Sequence, residues 1–365
     1  MSPDIDMDAA RTLQDLVSRV GPPDAAFREA AIRRLNSLTK PRGSLGTLED
    51  LAAQIAGIRG EVIPRMKDKV IITMAADHGV AARGVSLYPQ EVTSQMALNF
   101  AAGGAAINVL ARMAGARVII VDMGVIGGLP SYEGIVCKMI DFGTGDMSAG
   151  PAMSRAQAIN SLLSGSEIVE NELKAGLDIL GTGEMGIGNT TSASAITAAI
   201  TGKTVREVTG RGTGIGDEQL EHKIKIIEQA LAVNKPDPAD ALGVLEKVGG
   251  FEIGGLAGAM IAGAANRIPV VIDGFISGAA ALIAAGICPQ IKNHLIAAHL
   301  SAERGHTACL KHLGLRPLLE LDLRLGEGTG AALGIFLAEC SINLMRDMAT
   351  FEGAGVSDIP GEVIS

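Results

Sequence analysis

The sequence predicts an α/β protein whose mainly parallel sheet is covered by helices on both faces. Three observations carry that reading. Short apolar runs rich in β-branched residues recur along the chain, Ala-rich stretches of helical length separate them, and each run ends in a loop holding glycine and a carboxylate. Strands that alternate with helices argue for βαβ units. Strands that are apolar almost throughout argue for a sheet buried on both sides.

Residues 8–60 read as helical. Leu48, Leu51, Ala52, Ile55 and Ile58 share one face at spacings of three and four, as a core-facing stripe requires. Val70–Ala76 reads as a strand running into Asp77-His78-Gly79, and residues 91–113 read as helix. Arg117–Val121 is a second strand, ending at Asp122-Met123-Gly124. Leu177–Leu180 leads into Gly181-Thr182-Gly183-Glu184, followed by a helical stretch at 190–200. A helix at 252–265 precedes the strand Pro269–Ile272, which ends at Asp273-Gly274, and another helix is expected at 277–287. Leu319–Leu325 alternates more strongly and ends at Gly326-Glu327-Gly328.

Ligands of such sheets bind outside the carboxyl ends of the strands. The five acidic strand ends, Asp77, Asp122, Glu184, Asp273 and Glu327, therefore describe a rim. Asp and Gly are also ordinary turn and N-cap residues, and for Asp122 and Asp273 that plain reading stands level with a functional one. Glutamate is neither a favoured cap nor a turn former, so Glu184 and Glu327 carry more weight.

Composition narrows the function. The net charge is −9, no Lys/Arg run exceeds two residues, and only 2% of residues are aromatic. That excludes a basic face for nucleic acid and leaves no stacking platform for single strands. The acidic N-terminus lacks an apolar leader core, and the longest apolar run, Gly274–Cys288, is too short for a span of ~20 residues. A soluble protein with no membrane partner is expected. The four cysteines are widely spaced, without a Cys-x-x-Cys pair, which fits reduced thiols in the cytoplasm.

Two glycine-rich loops point to a phosphorylated small molecule. Gly181–Thr191 follows a strand and opens a helix, so glycines let the backbone approach an anion while free N–H groups of the helix face it. Asn189, Thr190 and Thr191 add side-chain donors. The loop is not a Walker A sequence, and it lacks the downstream acidic ribose anchor of a dinucleotide fingerprint. Gly210–Asp217 is a second such loop carrying Arg211, with Lys223 and Lys225 on the predicted helix behind it. Tight helix–sheet packing accounts for some of these glycines but not for all. His78, His299 and His306 lie nearest the loops, but no metal-ligand spacing or nucleophile elbow occurs, so no metal and no cofactor are expected.

Several stretches together resemble one family. They are Lys40–Gly46 with Leu48-Glu49, Ala76–Val80 continuing through Gly84–Pro89 and Val92–Met96, Gly183–Thr191, Gly210–Gly214, Asp273–Phe275 and Arg324–Gly330. In this order they resemble the nicotinate-nucleotide–dimethylbenzimidazole phosphoribosyltransferases, from about residue 30 to 348. The resemblance implies a Rossmann-like large domain (66–328), a small helical domain from both chain ends (1–65 and 329–365), and a homodimer. It implies phosphoribosyl transfer from nicotinate mononucleotide to 5,6-dimethylbenzimidazole, giving α-ribazole 5′-phosphate and nicotinate for the cobalamin lower ligand.

It places the catalytic glutamate on Glu327 and a second, substrate-contacting glutamate on Glu184. Phosphate and ribose contacts fall on Gly186, Ile187, Gly188, Asn189, Thr190, Lys223 and Asp273. The base pocket falls on Ser86, Tyr88 and Gln95, with Met96 and Leu325 as apolar walls. Glu184 either stabilises developing positive charge or holds a ribose hydroxyl. The competing expectations are a same-fold transferase for another azole or purine, and a non-catalytic nucleotide sensor. A sensor has no use for a proton acceptor beside an azole.

Overall fold

The structure, a computed structural model, describes residues 7–129 and 134–357. Its centre is a six-stranded sheet of β1 (Lys69–Ala76), β2 (Ala116–Gly124), β3 (Ile135–Cys137), β4 (Ile179–Met185), β5 (Val270–Ile272) and β6 (Leu295–Ala297). The strand order is β3-β2-β1-β4-β5-β6 and every pairing is parallel. This is the doubly wound order of the Rossmann type, with its reversal between β1 and β4. A two-stranded parallel pair, β7 (His299–Leu300) with β8 (Leu319–Glu320), stands apart.

Alternate residues of each strand feed different cores, as the strand period of two requires. Val70, Ile72 and Met74 of β1 and Val270 and Ile272 of β5 join Leu162, Ile196, Ile224, Leu256, Met260 and Ala280 on one face. Helices Arg155–Ala175, Asn189–Thr201, Asp217–Asn234, Phe251–Ala265 and Phe275–Ile287 cover that side. Ile71, Ile120, Val271 and Ile296 join Leu35, Leu51, Ile55, Ile107, Ile335 and Ile342 on the other. Helices Ala25–Asn36, Thr47–Arg59, Ala106–Ala114 and Thr329–Asp347 supply these partners, so helices from both chain ends pack on the second face. Helix Met7–Ser18 instead packs on the first face through Leu13 and Leu16.

With few aromatic rings, the core gains density by close backbone approach. Helices Arg155–Ala175 and Phe251–Ala265 meet so tightly that a Cβ at Gly165 would overlap Gly255 O, and one at Gly258 would overlap Leu162 O.

The strand expected at Leu319–Leu325 forms only over Leu319–Glu320, and outside the main sheet. Its alternation reflects partial exposure: Leu321 and Leu325 are more than half exposed, so these leucines join no core. The single helix expected at 91–113 is two, Val92–Ala101 and Ala106–Ala114, broken at Gly103-Gly104.

Candidate active site

A cavity of about 490 Å³ opens at the carboxyl ends of β1 and β4, where the strand order reverses. Its floor is built by the chain leaving β4. Gly186 passes so close to β1 that a Cβ would overlap Ala76 O. Gly188, at φ 95°, turns the chain into helix Asn189–Thr201. The Ile187 N–H donates to Thr93 Oγ1 at 3.1 Å, which ties the loop to helix Val92–Ala101. Lys223, only 1% exposed, donates from Nζ to Thr190 Oγ1 at 2.7 Å. Burial pulls the Lys223 ammonium down to about 8, against the raising field of Glu303. The second glycine loop closes over this corner: Gly212 and Thr213 line the cavity, and Thr213 Oγ1 accepts from Leu87 N at 3.2 Å.

Two carboxylates also line the cavity. Glu184, on β4, accepts from the Asn189 amide through Oε2. Glu327 sits in a turn in which Gly326, Glu327 and Gly328 all have positive φ, at 84°, 65° and 96°. For a glutamate this left-handed conformation costs on the order of 1 kcal/mol or more and persists only where the surroundings enforce it. Here they do. Thr73 Oγ1 donates to Glu327 O at 3.0 Å, and a Cβ at Gly183 would overlap that same carbonyl. The carboxylate accepts from Ile107 N, in the first turn of helix Ala106–Ala114, at 3.4 Å.

The electrostatics of the pair follow from this packing. Burial raises the Glu327 carboxyl above its ordinary range, the Ile107 N–H opposes the shift, and the nearby Asp273 charge adds to it. Glu184 is pushed up to about 8, first by burial and then by the charges of Asp273 and Glu252, with the Asn189 amide opposing.

Most residues expected at the site meet here. Ser86, Tyr88, Met96, Glu184, Gly186, Ile187, Gly188, Asn189, Thr190, Leu325 and Glu327 all line the cavity. Lys223 lies behind Thr190. Gln95 is exposed on helix Val92–Ala101 and is not part of the lining. Asp273 is buried, and its carboxylate accepts from Gly328 N (3.1 Å), Gly330 N (2.7 Å) and Ala331 N (3.1 Å), at the start of helix Thr329–Asp347.

The rim therefore divides. Asp77 accepts from Ile126 N, Asp122 from Gly124 N and Val125 N, and Asp273 from three N–H groups, so these aspartates fold turns. The two glutamates line the cavity. Sequence reasoning did not assign His299, Ser301, Glu303 and Arg324, which also line it. The first three lie on β7 or between it and the helix Arg304–Leu313, where the chain bends, so no strand period announces them.

A phosphate-sized loop at a helix start, a lysine behind it and two basic carboxylates across an apolar cavity suit transfer of a phosphorylated group to a nucleophile that must lose a proton. A family model described as phosphoribosyltransferase matches residues 20–356, and the chain belongs to that family. Similar relatives carry one name, nicotinate-nucleotide–dimethylbenzimidazole phosphoribosyltransferase. One from Roseiflexus castenholzii is 58% identical, and one from Desulforudis audaxviator is 56% identical. Each match spans 345 residues, covering 94% of this chain and 98% of the relative. The solved structure of CobT from Thermus thermophilus matches with a TM-score of 0.88 at 44% identity, covering 92% of this chain and 100% of that one. The resemblance read from the motifs is borne out.

Proposed function

We propose that the chain transfers the 5-phosphoribosyl group from nicotinate mononucleotide to 5,6-dimethylbenzimidazole, releasing nicotinate and forming α-ribazole 5′-phosphate. The observation that carries the mechanism is Glu327, fixed in a left-handed turn with its raised carboxylate lining an apolar cavity. An azole that attacks while keeping its N–H proton would become a cation. In this reading Glu327 takes that proton from one nitrogen, and the lone pair of the other attacks C1′ of the ribose. The bond from C1′ to the pyridinium nitrogen breaks, and its electron pair leaves on nicotinate as a neutral pyridine ring, so no leaving-group acid is required. Attack opposite the departing ring inverts a β-nucleotide to an α-product.

Gly186–Thr190, with Lys223 behind them, hold the 5′-phosphate and contribute orientation. Ser86, Tyr88, Met96 and Leu325 surround the azole. Glu184 supplies countercharge to the ribosyl centre as positive charge develops at C1′. Asp273 supports the site through the turn that carries Glu327.

Exposed Val109 and Met113 on helix Ala106–Ala114 and exposed Phe336 on helix Thr329–Asp347, two helices that pack together, support a homodimer. Free thiols at Cys137, Cys288, Cys309 and Cys340 support a reducing compartment, the cytoplasm. No described helix is long and apolar enough to cross a membrane.

The test is nicotinate release by Glu327→Gln. The expected outcome is a loss on the order of 10²-fold or more in turnover with donor binding retained. In the wild type, turnover falls as acid protonates Glu327, and the raised carboxyl places that limb above the usual glutamate range. Wild-type turnover in the variant removes Glu327 from the mechanism.

A further inference from the structure

Among the described residues, the cavity is lined by three carboxylates, Glu184, Glu303 and Glu327, and by a single guanidinium, Arg324, with no lysine. His299, the other lining side chain able to carry positive charge, is 3% exposed and faces Asp273 at 3.7 Å. Arg324 is exposed, and among the described residues its side chain has neither an ion-pair nor a hydrogen-bond partner. Its root is nonetheless fixed. On one side, Leu323 O accepts from Ala302 N at 3.0 Å and from Ser301 Oγ at 3.2 Å. On the other, Glu327 follows three residues later, in the turn pinned by Thr73. The result is a free cationic head on an anchored stem at the cavity wall.

The donor of the proposed reaction brings two anionic groups. Its 5′-phosphate has the glycine loop at the start of helix Asn189–Thr201, with Lys223 behind Thr190. The nicotinate carboxylate has no such provision, and among three acidic side chains it is repelled unless a cation pairs with it. The chemistry of the ligand places that cation. Nicotinate is bonded to C1′, the carbon that the azole attacks, and Glu327 acts on that azole. The Arg324–Glu327 segment therefore serves the ring end of the donor, and the phosphate lies at the other end of the ribose. A guanidinium also presents its N–H groups as a planar fork that matches a carboxylate with two parallel hydrogen bonds.

We infer that Arg324 pairs with the nicotinate carboxylate of the donor and so selects a nicotinate nucleotide over a nicotinamide one. The inference rests on the donor named under the proposed function. A nicotinamide nucleotide keeps the pyridinium ring and the ribose phosphate. Its amide, however, is neutral, and its NH2 donors find no acceptor on a guanidinium.

The experiment compares nicotinate mononucleotide, nicotinamide mononucleotide and nicotinate riboside as donors to dimethylbenzimidazole, in the wild type, Arg324→Ala and Arg324→Lys. A hydrogen bond to a charged group is worth roughly tenfold to a hundredfold in binding. The wild type should favour nicotinate mononucleotide over its amide by about that factor in kcat/KM. Arg324→Ala should lose a similar factor with both nicotinate donors and little with the amide, so the preference collapses. Arg324→Lys, which keeps the charge without the fork, should retain part of it. Equal use of both mononucleotides by the wild type overturns the inference. A loss in Arg324→Ala shared by both mononucleotides but absent with the riboside, which lacks the phosphate, overturns it in favour of a phosphate contact. A loss common to all three donors also overturns it. Arg324 is exposed and unpaired, so the variants should fold; if the alanine variant does not, Arg324→Lys decides. Wild-type nicotinate release reports separately on the reaction. Should that release be absent, calorimetric affinities of the wild type and Arg324→Ala for the two mononucleotides test Arg324 alone, and an unchanged ratio between them overturns it.

Discussion

Replacing Glu184 by glutamine should stabilise the protein, and by an amount that depends on pH. Burial and neighbouring acidic charges hold the Glu184 carboxyl at about 8, whereas the unfolded chain restores it to 4.5. Below pH 4.5 the carboxyl is protonated in both states and costs nothing. Between those values the unfolded state ionises and the folded state does not, so stability is lost progressively as pH rises through the folded value. The gap covers roughly three and a half pH units at about 1.4 kcal/mol each, a ceiling on the order of 5 kcal/mol at pH 9. Glutamine has no such titration and keeps an acceptor for the Asn189 amide.

Thermal unfolding of both proteins at pH 4.5, 7 and 9 reads the effect. At ~2 °C per kcal/mol for a chain of this size, the variant should melt ~10 °C higher at pH 9 and level with the wild type at pH 4.5. Titrating groups remote from Glu184 are common to both proteins and cancel in the difference. A Tm difference independent of pH would refute the assignment of a withheld proton to Glu184.

Gly326→Ala should lose at least ~10-fold in turnover and on the order of 1–3 kcal/mol in stability, because its Cβ would overlap Glu184 Oε1 at φ 84°; wild-type kcat and Tm would show that the turn has slack. Asp273→Ala should cost about 1–3 kcal/mol through the loss of three N–H contacts at the head of helix Thr329–Asp347, read as a lower Tm. A raised donor KM with unchanged Tm would instead show that Asp273 touches the nucleotide.

How legible the molecule was depends on the distance over which each feature is fixed. β1 and β2 are legible as apolar runs, whereas β4 is Ile179–Met185 and not the expected Leu177–Leu180: Gly181-Thr182-Gly183-Glu184, expected as loop, forms most of the strand, its glycines letting neighbouring atoms pack close. Three-residue β3 and β6 were not legible, whereas β5, equally short, was marked by the carboxylate and glycine that follow it. Helix Arg155–Ala175 went unread although Ser154 and Gln157 form a capping box at its start. Its serines and glutamates dilute the apolar stripe of Ala158, Leu162, Gly165 and Val169.

The same holds at the site. The loop from Gly183 to Thr191 is local, so its chemistry could be read directly. Glu303 could not, because only the folded chain brings it to the cavity and against Gly210. Of the five rim carboxylates, Asp77, Asp122, Glu184 and Asp273 close strands of the main sheet, while Glu327 arrives on a turn beyond β8; the aspartates bond to nearby N–H groups, and the glutamates line the cavity.

The turn that holds Glu327 also sets a timetable for biosynthesis. Thr73 Oγ1 finds its partner 254 residues further along the chain, and Glu327 meets Ile107 across 220. At roughly 5–20 residues per second, the emerging polypeptide waits on the order of ten seconds to a minute between making β1 and receiving the glutamate. During that interval the sheet face destined for helix Thr329–Asp347 stays uncovered, inviting a chaperone or a neighbouring nascent chain. A ribosome that stalls before residue 327 releases a product with its phosphate loop built and its base missing.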